Sequence, residues 1–493
     1  MSAVVADPRI VDRGVADTAR TGPRLGWLRD RGMGASILVA ALASAFGVVL
    51  VEATAYIGVM LKSDPYIGDS GTLAVVVSIL SVLLIGVALY VAAIVTANTF
   101  STIIAGRTRG IALLRLIGAT ARAQRAEVAK QGLVVGLIGA VLGGIAGILI
   151  TTLGLVVADR MLGQQAEFSL IQPAIIVPAL GVALTTWAAA WAGSRRVLSV
   201  TPLQAIGGSV ERTHEDAAAR PARHVGALIL LIIGVALLVF GILVGLVTPL
   251  GVVISFFGGL LSFTGLSLGA VLFMPPLLRL VGRLFGRSAT ARLAAENALR
   301  YPERSSRMAI GVVMGVTLVT MFAVALESVK ALLTKAAGGE LDAQFSIIMD
   351  SFAAVMMVLV GISAVIAAVG LVNLLTIGVV QRRRELGLLR AIGLSNRQVR
   401  RMILLEAVHI TVTATVTGLI LGVAYGWIAA QSLLGSVRMP PYFEETAGIV
   451  APAVPWIPVV VIVIATAVLT LVAAATPTRL ATRVAPVEAL AVD

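Results

Sequence analysis

The chain has 493 residues, is 58% hydrophobic and 13% charged, and has a mean hydropathy of +1.01, whereas soluble domains carry about 25% charged residues; it is a membrane protein with many spans. It has no cysteine, which excludes disulfides, thiolate metal sites and cysteine nucleophiles, and His214, His224 and His409 lack metal-ligand spacing, so no metal site is expected. A net charge of +13 would suggest nucleic acid in a soluble protein; here the charge sorts by position along the chain, and no nucleic-acid partner is expected.

The first 34 residues have no apolar core and are not a cleavable signal. They read as a flexible cytoplasmic tail with a basic lead-in helix, "RLGWLRDRG", along the inner surface. Ten apolar segments follow that reach or approach the roughly 20 residues needed to cross a bilayer. They are Ala35–Leu61, Thr72–Ala97, Gly132–Val157, Pro173–Ala192, Val225–Leu246, Val252–Phe273, Met308–Leu326, Phe352–Val380, His409–Ala430 and Trp456–Ala475. The fifth and sixth are divided only by a turn around Thr248–Val252.

Lys and Arg orient the bundle. With the N-terminus inside, the cytoplasmic pieces hold 33 of the 38 basic residues, leaving Lys62, Arg160, Lys330, Lys335 and Arg438 outside. Both termini then lie in the cytoplasm, the protein crossing the cell membrane many times.

A repeat organises these spans. Shifting the sequence by 275 positions lays Arg107–Arg125 on Arg382–Arg400 with nine of nineteen residues identical, Leu113/Leu388, Leu114/Leu389, Arg115/Arg390, Ile117/Ile392 and Gly118/Gly393 among them. The same shift pairs Glu52 with Glu327 and Asn98 with Asn373. A later echo, Arg195–Ile206 on Arg479–Leu490, has an offset of 284, so the second half gained about nine residues, most simply in an outer loop. The chain is an internal duplication. Two connecting spans return it to the cytoplasm, so the halves are parallel repeats about an axis along the membrane normal. The expected fold is an all-α integral membrane protein of about 10 transmembrane helices, arranged 4+2+4 with pseudo-two-fold symmetry and short cytoplasmic coupling helices. Residues 1–34 are the tail, 35–210 the first four-helix repeat, 211–285 the connector and 286–493 the second repeat.

The repeated arginine-rich stretch is the informative one. Leu386, Leu388, Leu389 and Ile392 give a short helix one apolar stripe, and arginines cover the other faces. Gly393, like Gly118, sits where a helix takes a left-handed cap. Ser395 or Asn396 then caps the next helix, which runs into the ninth span. The result is a helix–turn–helix elbow at the cytoplasmic face. Orientation and anionic lipid alone would need arginines, but not Leu-Leu-Arg-x-Ile-Gly at matched positions in both halves.

These elbows, the Asn that ends a span, the closing "RVAPVEAL" and the helix "NALRYPERS" (Asn297–Ser305) resemble FtsX-like ABC transporter permeases, the superfamily of MacB-, LolC/LolE- and BceB-type proteins. The resemblance covers both repeats, and the second is the closer match. In the first, Gly110 replaces the usual acid kept as Glu385, and Thr108 replaces the arginine kept as Arg383. The ten-span layout is similar to the two-in-one members. The resemblance implies that each elbow seats one ATPase subunit, through Arg107, Arg109, Leu113, Leu114, Arg115, Ile117 and Gly118 in the first repeat and Arg382, Arg383, Arg384, Glu385, Leu388, Leu389, Arg390, Ile392 and Gly393 in the second.

The residues bear on the same point independently. A P-loop needs Gly-Lys before Ser or Thr, and none of the four lysines (Lys62, Lys130, Lys330, Lys335) follows a glycine. The chain is therefore expected to be non-catalytic and to hold no cofactor of its own. ATP and Mg belong to a separate P-loop partner, expected at two copies per permease chain. The outer segments Lys62–Gly71 and Glu327–Ser351 are too short to fold alone, because a domain below about 40 residues rarely supports a core.

Few spans carry ionisable groups. Glu52 stands roughly 26 Å beyond Ala35 at 1.5 Å per residue, near the outer edge of the hydrocarbon. Glu52 and Glu327 read first as outer headgroup acids. The sharper reading is a pair facing the pseudo-axis that receives a cationic group of the substrate. Asn98 and Asn373 cap or bridge helices near the inner surface. Three function classes follow. The first is a permease that exports or extracts an amphipathic substrate (an antimicrobial peptide, a macrolide-like drug or a lipid), with membrane lipid as its other partner. The second is a mechanotransmitter acting on an outer cell-wall enzyme. The third, an ion-coupled transporter, predicts midplane acids that the spans lack.

Overall fold

In hydrocarbon each backbone N–H and C=O must be paired within the protein, so long apolar runs close their hydrogen bonds as helices. The computed structural model describes residues 33–62, single positions from 79 to 94, 113–114, 118–162, 172–194, 221–284, 288–300, 302–336, 388–437 and 446–483. In chain order the helices are α1 (Met33–Lys62), α2 (Ala121–Leu162), α3 (Ile176–Gly193, led by a 3-10 turn), α4 (Pro221–Gly245), α5 (Gly251–Leu268), α6 (Ala270–Gly282), α7 (Ala289–Arg300), α8 (Pro302–Ala336), α9 (Asn396–Leu434) and α10 (Trp456–Arg483). Among the described residues seven helices are long and apolar enough to cross a membrane, and the apolar part of α10, Trp456–Val472, is shorter. This is a multi-pass membrane protein. The expected second span is described only at scattered helical positions from Ile79 to Ile94. The expected eighth, Phe352–Val380, lies outside the described residues.

Where helix ends differ from the sequence reading, the cause is local. α9 begins at Asn396, directly after the expected cap, and runs unbroken into the ninth span; α2 likewise begins at Ala121, ahead of the apolar segment from Gly132, because the arm leaving the elbow is continuous with the span. α8 runs on past Leu326 to Ala336. The expected sixth span is interrupted. α5 ends at Leu268, Gly269 leaves the helix at φ −88°, ψ 8°, and α6 resumes with Pro275 and Pro276 inside it; each proline removes one N–H donor from the ladder. The division of the fifth and sixth spans holds: α4 and α5 form a hairpin closed at Leu246–Leu250.

The sequence shift reappears in the contacts. In a membrane, helices associate through close packing of small residues. α1 packs along α2 where Gly143 meets Ala41 and Gly147 meets Ala45. α8 packs along α9 where Gly418 meets Val316 and Gly422 meets Thr320. All four residue pairs are related by 275 positions. Likewise Gly136 of α2 meets Thr186 of α3, and the Thr470 hydroxyl of α10 donates to Thr411 of α9 at 3.1 Å. Positions 136 and 411 differ by 275, and 186 and 470 by 284, the offset read from the closing segments.

One apolar core joins Phe46, Val49 and Leu50 of α1 to Phe263 of α5, Met274 and Leu278 of α6, Ile310 and Val313 of α8, and Ile410 and Ala414 of α9. Burial shows which helices are central: 78% of the apolar window of α1 and 61% of that of α8 is buried, against 22% for α4. α4 turns Ile229, Ile232, Ile233 and Phe240 outward, to lipid. His409 is an interface residue: it is fully buried on α9, and its Nε2 donates to the Leu278 carbonyl at 2.8 Å.

Candidate functional site

Each elbow is built from short-range hydrogen bonds that its residue types dictate. In the second, the helical turn at Leu388–Ala391 ends at Gly393, with φ 111°. The Gly393 N–H donates to the Arg390 carbonyl at 3.1 Å, and the Leu394 N–H to the Leu389 carbonyl at 3.0 Å, the two bonds of a glycine-terminated helix end. Ser395, extended at φ −69°, ψ 154°, then caps α9. Its Oγ accepts from the Gln398 N–H at 3.3 Å, and the Gln398 side chain accepts from the Ser395 N–H at 2.8 Å, a reciprocal capping box. Of the two residues the sequence left open, Ser395 and not Asn396 is the cap.

The first elbow repeats the plan. Gly118 has φ 104°, the Ala119 N–H donates to the Leu114 carbonyl at 2.9 Å, and Thr120 Oγ1 accepts from the Ala123 N–H at 3.2 Å. Every residue here stands 275 positions before its counterpart. Among the described residues neither glycine has an atom within 4 Å of where a Cβ would lie, so the backbone angle is what demands glycine. Gly118→Ala and Gly393→Ala should each cost about 1–2 kcal/mol of local stability. Amide exchange over residues 388–398 in the second variant would rise accordingly; unchanged exchange would show that the left-handed cap does not fix the elbow.

The apolar stripe divides between two neighbours. Leu388 and Ile392 are 54% and 69% exposed, and Leu113 and Leu114 in the first elbow 53% and 43%. Leu389 instead packs against Ala294 of α7 and Val399, Met402 and Ile403 of α9. It is a strut, and the outward face is Leu388 and Ile392. The buttress α7 was missed in its role, although Ala291, Ala294 and Ala298 already formed a stripe at helical spacing; all three are buried. In the first repeat, the Arg125 guanidinium lies 3.9 Å from the Trp191 ring centroid and tethers the start of α2 to the end of α3. Arg107, Arg109, Arg115, Ile117, Arg382, Arg383, Arg384, Glu385, Asn98 and Asn373 lie outside the described residues.

The two acids differ in setting. Glu52 is 1% exposed on α1, and neither carboxylate oxygen has a hydrogen-bond partner among the described residues. Along the α1–α2 seam Gly147 meets Val48. One turn further on each helix come Glu52 and Thr151, whose buried hydroxyl also has no hydrogen-bond partner among the described residues. Glu327, the sequence equivalent, is only half-buried on α8. Among the described residues no cluster of His, Asp and Glu could hold a metal ion.

Comparison with known proteins agrees with this arrangement. The family pattern of the FtsX-like permease C-terminal region matches residues 82–202 and 357–486, together just over half the chain. The two matches bracket α4–α8 and each contains one elbow. The chain is 34% identical over 87 residues to the ABC transporter permease YtrF of Bacillus subtilis, covering 18% of this chain and 19% of that protein. It is 30% identical over 78 residues to the macrolide export ATP-binding/permease protein MacB of Bordetella avium, covering 16% and 12%. With MacB of Rhodopirellula baltica it shares 27% over 142 residues, covering 27% and 17%. The similarity thus spans less than a fifth of the length of each of these relatives.

Proposed function

Because the chain belongs to the FtsX-like permease family, we propose that it is the membrane subunit of an ABC transporter that exports an amphipathic molecule, or extracts one from the bilayer. A separate P-loop ATPase, two copies per chain, seats on the two elbows at the cytoplasmic face of a bacterial cell membrane. The observation that carries this reading is the twin elbow: a left-handed glycine end followed by a hydroxyl N-cap, repeated at a 275-residue shift, each elbow presenting exposed leucine or isoleucine. Closure of the ATPase pair draws the elbows together, and the repeats, related by a pseudo-two-fold axis, carry the motion outward. Coupling of this kind needs a two-state element that both ends bias, and the interface between repeats supplies it.

Purification of the chain from its host in mild detergent should bring down a P-loop protein at two copies per permease. Recovery of the permease with no such protein would remove the transporter reading.

Glu52 takes the substrate-facing role in this scheme. A carboxylate buried with no partner among the described residues is relieved by protonation or by a cation that reaches it; in this scheme the cation is a group of the substrate. Glu52→Gln combined with Glu327→Gln should impair export of cationic amphiphiles while leaving assembly and basal ATP hydrolysis intact. Unchanged export by that variant would end this assignment.

A further inference from the structure

The two glycine seams pair equivalent residues but not equivalent atoms. In the first repeat a Cβ placed on Gly139, Gly143 or Gly147 of α2 would meet the Cβ of Ala40, Ser44 or Val48 of α1, an offset of 99 residues each time, and Ala41 and Ala45 enter only through backbone atoms. In the second, a Cβ on Gly418, Gly422 or Gly426 of α9 would meet the Cβ of Val316, Thr320 or Val324 of α8, an offset of 102. The seams are out of step by three residues, which is an axial shift of about 4.5 Å and a rotation of about 60°. The third helix of each repeat does not share the slip. Gly136 meets Thr186, and the equivalent Thr411 meets Thr470, so α2–α3 and α9–α10 keep one internal match and are displaced as pairs. The register also tracks the setting of the acids. Continued by one turn, the 99-residue offset sets Thr151 against Glu52, which is buried with no hydrogen-bond partner for either oxygen among the described residues. At an offset of 102 Glu327 stands opposite Ala429 and is half-buried.

We infer that the α2–α3 pair slides one turn along α1, from the register of the first repeat to that of the second, and that this slide opens Glu52 to the cationic group of the substrate. The inference rests on the transporter reading and supplies the gate of the site proposed there. α1 is the fixed partner: 78% of its apolar window is buried, against 33% for α2 and for α3. α2 begins directly after the Thr120 cap of the first elbow, so a pull on that elbow acts along the axis of the rod. Drawing α2 toward the cytoplasm by three residues replaces Thr151 beside Glu52 with Gly154. Gly154 is exposed, and an added Cβ there meets nothing within 4 Å among the described residues, so Glu52 gains an open flank. The new contacts along the seam are small, because Gly143 and Gly147 would then face Ala41 and Ala45. Packed helices pass between discrete registers of this kind, one turn apart, and do not deform continuously.

The chain has no cysteine of its own, so introduced pairs read the register by disulfide formation in the full-length chain in nanodiscs. Glu52→Cys with Thr151→Cys should cross-link at rest. Val49→Cys with Thr151→Cys, matched at the offset of 102, should cross-link about tenfold more slowly, through a minor register. Gly154→Leu fills the place that Glu52 would reach. Added to each pair, it should abolish the second cross-link and leave the first unchanged. Dodecyltrimethylammonium, below its solubilising concentration, should speed the second cross-link at least about fivefold by binding the open register. Dodecyl maltoside should not, and Glu52→Gln should remove the response. A Val49/Thr151 pair that never cross-links, or that cross-links equally with Gly154→Leu, would overturn the slide. A cross-link that Gly154→Leu stops but dodecyltrimethylammonium leaves unchanged would uphold the slide and remove the cationic group from Glu52. Oxidation needs neither ATP nor a partner. A slide detected with no copurifying ATPase would therefore sink the transporter reading alone, and a fixed register beside a bound ATPase would sink this inference alone.

Discussion

Leu388→Asp combined with Ile392→Asp should detach the ATPase from the second elbow, lowering the copurified ratio from two copies to one and abolishing substrate-stimulated ATP hydrolysis. Burying a leucine or isoleucine contributes about 1.5–3 kcal/mol each, so losing both weakens the contact by at least about 100-fold. Membrane insertion should be untouched, because both side chains point away from the bundle. Leu389→Asp is the contrasting variant. It places a charge among Ala294, Val399, Met402 and Ile403 and should lower the yield of folded permease before docking can be measured. Retention of two ATPase copies by the double variant would show that docking uses another face.

The second large effect lies in the glycine seams. Gly143 and Gly144 are neighbours in α2, yet a Cβ at Gly143 would meet the Ala41 carbonyl and Ser44 Cβ of α1, whereas one at Gly144 meets nothing within 4 Å among the described residues. Gly143→Leu should force α1 and α2 apart at a cost of about 3 kcal/mol or more, while Gly144→Leu adds a side chain away from the α1 seam at no such cost. Gly418→Leu should behave like Gly143→Leu, since its Cβ would stand 2.8 Å from Val316 Cβ and 3.0 Å from the Val313 carbonyl. Thermal stability in detergent, followed by size-exclusion chromatography, separates them. Equal melting of the Gly143 and Gly144 variants would refute the seam.

Much of the elbow could be read from the sequence because its bonds are local. A glycine followed two residues later by a serine and then a glutamine specifies a left-handed helix end and a capping box within a few residues. The direction of Leu389 could not be read this way. Its partner Ala294 lies on α7, nearly a hundred positions upstream, and spacing alone cannot tell a leucine that meets a foreign subunit from one that meets its own chain. The break at Gly269 was hidden for a related reason: Val252–Phe273 carries no charged residue, so hydropathy runs across a point where the backbone turns. The burial of Glu52 was hidden too. Distance along a helix predicts depth in the bilayer, but not whether another helix covers the side chain.

α9 extends unbroken over 39 residues, with no proline between Asn396 and Leu434. At 1.5 Å per residue it is a rod of about 58 Å, and the usual causes of a kink do not divide it at the membrane surface. Its first turn is the exit arm of the second elbow. A rotation of about 5° at that end therefore sweeps the far end by about 5 Å, close to the thickness of one polypeptide strand. On the function proposed above, leverage of this kind would convert a small push at one face of the bilayer into a gap at the other, without any helix having to melt.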